Sequence, residues 1–158
     1  MKIAVLADTH IPKRARKLPA RALEILADAD AIIHAGDVVS DEFLQTLLSM
    51  APVYAVLGNN DLTLSLPETL EFELAQIKFA VIHDSGPSAG RAARMRKRFP
   101  DAQIVVYGHS HVPVNFLENE QLLFNPGSPT DRRQQPKHTM GLLRIENGMM
   151  KSEIIELD

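Results

Sequence analysis

At 158 residues, with 45% hydrophobic and 23% charged side chains, the chain has the size and composition of one globular domain spanning 1–158, large enough for a real core. The absence of cysteine excludes disulfides, thiolate metal sites and cysteine nucleophiles. A net charge of -3 supplies no global field to recruit nucleic acid, although basic residues cluster at 13–17 (KRARK) and 91–98 (RAARMRKR).

The opening MKIAVLADTH enters a strand directly, without a charged-then-apolar leader. No apolar run approaches the roughly eighteen residues of a membrane span. A cytoplasmic protein without a membrane partner is the expectation. KIAVLA (2–7) is short, apolar and ended by polar residues, which predicts a buried strand. LPARALEILADA (18–29) predicts a helix with Pro19 in its first turn, where a missing N–H costs nothing. AIIHAG (31–36) is the second strand. SDEFLQTLLSM (40–50) is a helix that Ser40 can cap, with Asp41 and Glu42 at its positive end and Phe43, Leu44, Leu47 and Leu48 as its buried stripe. VYAVLG (53–58) is the third strand.

The second half is richer in hairpins. TLEFEL (69–74) alternates, and IKFAVIH (77–83) follows a tight break. SAGRAARMRKRF (88–99) predicts a helix with Ala92, Met95 and Phe99 toward the core and Arg91, Arg94 and Arg98 on another, solvated face. QIVVYG (103–108) is a buried strand. VPVNFL and QLLFN form a hairpin, and 141–157 forms another, turned by Asn147-Gly148. Alternating strands and helices followed by antiparallel pairs argue for an α/β sandwich with mixed sheets.

The ends of the apolar strands carry the chemistry. After 2–7 comes Asp8-Thr9-His10, after the second strand Gly36-Asp37, and after the third Gly58-Asn59-Asn60-Asp61. The strand at 77–82 ends on His83, and that at 103–107 on Gly108-His109-Ser110-His111. Ligands of open α/β sheets bind beyond the carboxyl ends of strands. Each fragment alone is commonplace: Gly-Asp and Asn-Asn-Asp are ordinary turns, and a lone strand-end histidine is more often structural. Together they deliver oxygen and nitrogen donors to one rim, which points to a metal site. His34, inside a strand, reads as a core histidine bonded to backbone, and His138 as a solvated one.

In order, ADTH, HAGD, GNND, VIHD, GHSH and NPGSPT resemble the motifs of the calcineurin-like metallophosphoesterases, in particular small bacterial and archaeal phosphodiesterases. The resemblance runs nearly end to end. It implies a four-layer α/β/β/α sandwich of two mixed sheets flanked by helices, with two divalent metal ions. Carried over by position, Asp8, His10, Asp37 and His111 would hold one ion, and Asp37, Asn59, His83 and His109 the other, with Asp37 bridging. Mixed nitrogen and oxygen ligands suit Mn²⁺ first, with Ni²⁺, Fe²⁺ or Zn²⁺ as alternatives. The implied activity is phosphodiester hydrolysis by a metal-bridging hydroxide in direct in-line attack on phosphorus. Two divalent ions set against Asp8, Asp37 and hydroxide leave about one net positive charge for an anionic substrate.

The implied catalytic positions are Asn60, Asp61 and His109. Asp61 would orient a neighbour rather than bind metal. Many superfamily phosphatases carry histidine where Asn60 stands, and an amide cannot act as a general acid. Asp84 replaces a glycine that commonly follows the fourth-motif histidine. Asn60, Arg132 and Arg133 are the candidates to hold phosphate, the arginines through a guanidinium fork, with plain surface solvation as the competing reading. The partner expected is a phosphodiester, small or nucleotide-derived. Nucleic acid is open but not indicated, because the arginine-rich helix lacks interleaved aromatics. A homo-oligomer is open too. The alternative function is a catalytically weak or inactive binding module, as in the retromer scaffold subunit, whose fold is similar and whose active site is altered.

Overall fold

The structure is a computed structural model that describes residues 1–158. Its first strand, β1 (Lys2–Leu6), is buried on both faces from Ile3 onward. Ile3, Val5 and Ala7 join one apolar cluster while Ala4 and Leu6 join another. That split follows from the two-residue period of a strand, and it makes β1 an inner layer of a sandwich. The remaining elements are α1 (Ala20–Ala27), β2 (Ala31–His34), α2 (Asp41–Leu48), β3 (Val53–Ala55), β4 (Thr69–Leu74), β5 (Ile77–Ile82), α3 (Arg91–Arg98), β6 (Ile104–Val106), β7 (Val114–Glu118), β8 (Gln121–Asn125), β9 (Thr139–Glu146) and β10 (Met149–Glu156).

Two five-stranded mixed sheets result, in the orders β10-β9-β1-β2-β3 and β4-β5-β6-β8-β7. Strands β1, β2 and β3 run parallel, with β3 at the edge of its sheet, as do β5, β6 and β8, and β4, β7, β9 and β10 pair antiparallel. Between the sheets, Ile3, Val5, Ile33 and Val56 meet Phe79, Val81, Val106 and Phe124. Outside the first sheet, Leu6, Ile32 and Met140 pack on Leu26 of α1 and Phe43 and Leu47 of α2. Outside the second, Ile82, Val105 and Tyr107 pack on Met95 of α3 and on Phe99. The layers are therefore α/β/β/α, as the sequence implies. A stack of Tyr54, Phe72 and Phe79, with centroids 4.2 and 5.2 Å apart, joins the sheets at one end. No helix is long and apolar enough to cross a membrane.

Element types match the sequence reading, and the boundaries contract. Ser40 caps α2 by accepting from Phe43 N at 3.1 Å. The first helix starts at Ala20 because Pro19 is extended (ψ 148°) and Leu18 is buried in the core. The third starts at Arg91 because Gly90 is left-handed. The third strand stops at Ala55, where Leu57 N turns to Pro67 O. Three two-residue hairpin loops (75–76, 119–120 and 147–148) have positive φ at both positions, which matches the right-handed twist of the strands they join. Asn147-Gly148 is the one with a sequence signature. His138 is not simply solvated; its Nδ1 lies 2.8 Å from Asp158 Oδ1.

One glycine sets the spacing between the sheets. A Cβ on Gly141 of β9 would lie 2.3 Å from Phe124 Cε1 and 3.0 Å from Val5 Cβ. Both neighbours are fully buried, so neither can move freely. Gly141→Ala is expected to cost about 1–3 kcal/mol as overpacking, read as a lowered urea midpoint at unchanged slope. Adding Phe124→Leu should recover part of it. An unchanged midpoint in the single variant would show that the layers are looser than this packing requires.

Candidate metal centre

The parallel strands of both sheets end on one rim, and there the backbone departs from ordinary geometry. Asp8, His10, Asp37, His109 and His111 all have left-handed φ, between 47° and 70°, and Val39 has φ 81°. Such positions cost about 1–3 kcal/mol each for residues with side chains, and they persist only when surrounding contacts impose them. The contacts are present. Asp61, 4% exposed, accepts from Asp37 N (2.9 Å), Val39 N (2.6 Å) and Gly58 N (2.7 Å). Ser128 Oγ donates to Asp8 O at 2.8 Å and accepts from Asp131 N at 2.9 Å. Thr130 Oγ1 donates to Thr9 O at 2.7 Å. A Cβ on Gly58 would lie 2.2 Å from both Asp37 N and Asp37 Oδ1, so only glycine lets the third strand's loop pass there.

The donors these contacts present face one another. His111 Nε2 lies 3.6 Å from Asp8 Oδ1, and His10 Nε2 lies 3.4 Å from Asp37 Oδ2. His83 Nε2 is 3.5 Å from Asp37 Oδ2 and 3.9 Å from Asp8 Oδ1. Asp8, His10 and His111 form one group whose ligand atoms lie close enough for a single ion, and Asp8, Asp37 and His83 form a second. Asp8 is common to both groups. Asp37 Oδ2 is nearly equidistant from His10 and His83, which is the geometry a bridging oxygen needs.

The fit to metal ions is chemical as well as spatial. Asp8 Oδ1, His10 Nε2 and His111 Nε2 are buried and have no hydrogen-bond partner. Buried polar atoms in folded proteins are nearly always satisfied, so three bare ones at one point ask for a cation. On the other side, His83 Nδ1 donates to Ala35 O at 2.7 Å, which in the Nδ1–H tautomer leaves Nε2 as a lone pair. That lone pair faces Asn59 Oδ1 at 2.9 Å and His109 Nδ1 at 3.3 Å, with Asn59 Oδ1 also 3.3 Å from His109 Nδ1. An amide oxygen and an imidazole lone pair repel unless a positive centre lies among them. His111 Nδ1 is turned to Asp131 O, so its Nε2 is likewise the free atom.

Charge states follow the same logic. Burial lowers the pKa of His10 and of His111, which keeps both rings neutral and able to ligate. Burial, then the neighbouring Asp37, raises Asp8 well above the usual carboxylate range. Burial would raise Asp37 too, but hydrogen bonds from Asn60, its backbone N–H at 2.8 Å and its amide at 2.9 Å, hold it lower. Two carboxylates driven apart by proximity are relieved when a cation sits between them.

The structure brings all seven expected ligand residues to this rim. Asn60 is there through its hydrogen bonds to Asp37, and Asp61 lies beneath it as an acceptor that orients Asp37. Arg133 stands beside the centre, with an N–H 3.4 Å from His109 O. Arg132 does not face it and donates to Gln135 O at 2.6 Å. That bond lies within the surface turn of 132–135. Arg91 and Arg94 are not solvated either; they turn back onto the carbonyls of the 84–90 loop. The sequence reading assigns no role to Thr9 or Thr130, which it meets only as parts of ADTH and NPGSPT, and it passes over Asp131, whose carbonyl meets His111 Nδ1. His34 is a core histidine, as expected. Its Nδ1 accepts from Gly36 N at 3.2 Å and its Nε2–H donates to Thr9 Oγ1 at 2.9 Å.

An α/β/β/α sandwich with paired carboxylate–histidine groups at its strand ends is the architecture of a metallophosphoesterase. Residues 1–148 match the calcineurin-like phosphoesterase superfamily domain, and the chain belongs to that superfamily. It is 34% identical over 159 residues to a probable metallophosphoesterase of Methanothermobacter thermautotrophicus, covering 98% of this chain and 92% of that one. A probable metallophosphoesterase of Methanocaldococcus jannaschii is 38% identical over 145 residues, covering 90% and 75%. Among solved structures, vacuolar protein sorting 29 (Vps29) of Cryptosporidium parvum superposes with a TM-score of 0.82 at 22% identity, covering 98% and 96%. Wild-type Vps29 of Entamoeba histolytica complexed with Zn²⁺ gives 0.80 at 22%, covering 100% of both. A novel archaeal phosphodiesterase gives 0.74 at 24%, covering 98% and 100%. At these identities the superpositions show the fold.

His34 makes stability depend on pH. Burial lowers its pKa from 6.5 to about 3. Between those values the unfolded chain binds a proton that the folded chain refuses, so stability falls as pH drops from 6.5 toward 3. Each unit in that range costs about 1.4 kcal/mol. Urea unfolding of His34→Gln should show a shallower loss of stability below pH 6 than the native chain, by close to one proton. Equal slopes would contradict the buried, neutral assignment.

Proposed function

We propose that this chain is a metal-dependent phosphoesterase that hydrolyses phosphodiesters, with Asp8, His10, Asp37 and His111 holding one divalent ion and Asp37, Asn59, His83 and His109 a second. The observation that carries the reading is the convergence of Asp8 Oδ1, His10 Nε2 and His111 Nε2, three buried atoms without partners. Bound there, two such ions supply Lewis acidity and an activated water for in-line displacement. Mn²⁺ is the first choice for a donor set of imidazole, carboxylate and amide, with Ni²⁺, Fe²⁺ and Zn²⁺ as alternatives.

The chain's own part is positioning and charge. Asp61 holds the backbone of Asp37 so that its carboxylate enters the rim. Arg133 offers a cation beside His109 to a phosphate oxygen. Asn60 spends its amide N–H on Asp37, so no side chain at that position delivers a proton to the departing oxygen. A good general acid contributes about 10²–10⁴-fold, most for poor leaving groups. The native protein is therefore expected to favour aryl diesters over alkyl diesters and diesters over monoester dianions. Asn60→His should flatten the dependence on leaving-group pKa and raise monoester turnover relative to diester turnover, in assays of a graded ester series at matched metal content. A flat native dependence, or no shift in the variant, would remove Asn60 from this role.

Overall shape favours a second reading, a binding or scaffold module of weak or absent activity. The superpositions on Vps29 (0.82 and 0.80) exceed that on the archaeal phosphodiesterase (0.74). One of those Vps29 chains is a Zn²⁺ complex, so metal binding by itself does not separate the readings. Turnover does. Hydrolysis of a simple aryl phosphodiester should vanish on chelation and return with Mn²⁺. A protein that binds two equivalents of Mn²⁺ and hydrolyses no ester would establish the scaffold reading instead. A cytoplasmic location and a small or nucleotide-derived diester go with the enzymatic reading.

A further inference from the structure

Asp84 stands where the family motif leads one to expect glycine, directly after His83. Its Oδ1 accepts from Gly86 N at 2.8 Å. Its Oδ2 lies 3.9 Å from Nε2 of His109. The other ring nitrogen of His109, Nδ1, faces Asn59 Oδ1 and His83 Nε2. For Nδ1 to offer a lone pair there, the neutral ring must carry its proton on Nε2. Asp84 Oδ2, which has no other partner, is the protein acceptor nearest that Nε2–H. At 3.9 Å the two atoms stand as an ion-pair contact just beyond direct hydrogen-bond reach.

The loop carrying Asp84 is fastened in place. Arg94 donates to Ser85 O from Nε (2.9 Å) and Nη2 (2.7 Å), to Pro87 O (2.6 Å) and to Ala89 O (3.3 Å). Arg91 donates to Gly86 O at 3.1 Å and to the Tyr107 hydroxyl at 3.2 Å. Gly86 allows the close approach, since a Cβ there would lie 2.9–3.0 Å from the Arg94 guanidinium. Two arginines of α3 thus hold the loop that aims a carboxylate at a candidate ligand.

We infer that Asp84 is a positioning residue: it accepts the Nε2–H of His109, fixes that ring with Nδ1 toward the second metal position, and is held there by Arg91 and Arg94. The inference rests on the proposed metal centre. A carboxylate behind a ligating imidazole raises its basicity and fixes its orientation, and losing such a partner typically weakens metal affinity about 10–100-fold.

The test is calorimetric titration of Mn²⁺ into the metal-free full chain. The native protein should bind two ions. Asp84→Ala should weaken one affinity about 10–100-fold and leave the other unchanged. Asp84→Asn, which keeps an acceptor without charge, should fall between. In a His109→Ala background, Asp84→Ala should have no further effect, because its only route to the metal is gone. Arg94→Ala should weaken the same affinity as Asp84→Ala, and should add nothing to it. Two native affinities that Asp84→Ala leaves intact, or an equal loss with and without His109, would overturn the inference while sparing the metal centre. A native chain that binds no Mn²⁺ would overturn both.

Discussion

The centre depends on one buried carboxylate that touches no ligand atom. Asp61 accepts three backbone N–H groups, two from the loop after β2 and one from the loop after β3. Hydrogen bonds to an ionised acceptor contribute more than neutral ones, and a buried carboxylate without them would be costly. Those bonds hold Asp37 and Val39 in left-handed backbone that neither residue adopts readily alone. The Asp37 carboxylate then points into the rim, where Asn60 holds both of its oxygens. Remove Asp61 and three buried N–H groups lose their acceptor together.

From that constraint the remaining geometry follows in layers. Both sheets run three parallel strands side by side, so six carboxyl ends meet at one edge of the sandwich. Small residues keep the ends close: a Cβ on Gly58 would lie 2.2 Å from Asp37 N. Far-separated hydroxyls then tie the loops, Ser128 to Asp8 and Thr130 to Thr9. Dry surroundings keep His10 and His111 neutral, and backbone carbonyls of Ala35 and Asp131 choose the free nitrogen of His83 and His111.

Much of this was legible in the residue string. Short apolar runs ending in Asp, His and Asn marked both the sandwich and its rim, because a strand buried on both faces has no other polar place to end. Asp61 was legible as an orienting acceptor by its place in GNND. What escaped was whatever acts through backbone atoms or at long range. Asp131 contributes a carbonyl, which any residue could supply. Arg91 and Arg94 looked like a solvated helical face because their acceptors are loop carbonyls, invisible to a periodicity argument. Arg132 and Arg133 are neighbours in sequence, yet Arg132 bonds to Gln135 O in its own turn while Arg133 reaches His109 O; the direction of a loop side chain is set by a turn that sequence does not specify.

The central claim is that two ions share this rim with Asp37 between them. Anomalous diffraction from crystals grown with Mn²⁺, collected at its absorption edge, tests it directly. Two peaks roughly 3.5–4 Å apart are predicted, one against Asp8, His10 and His111, the other against Asn59, His83 and His109, with Asp37 in contact with both. A single peak, two peaks that Asp37 does not join, or none at the rim would contradict the account.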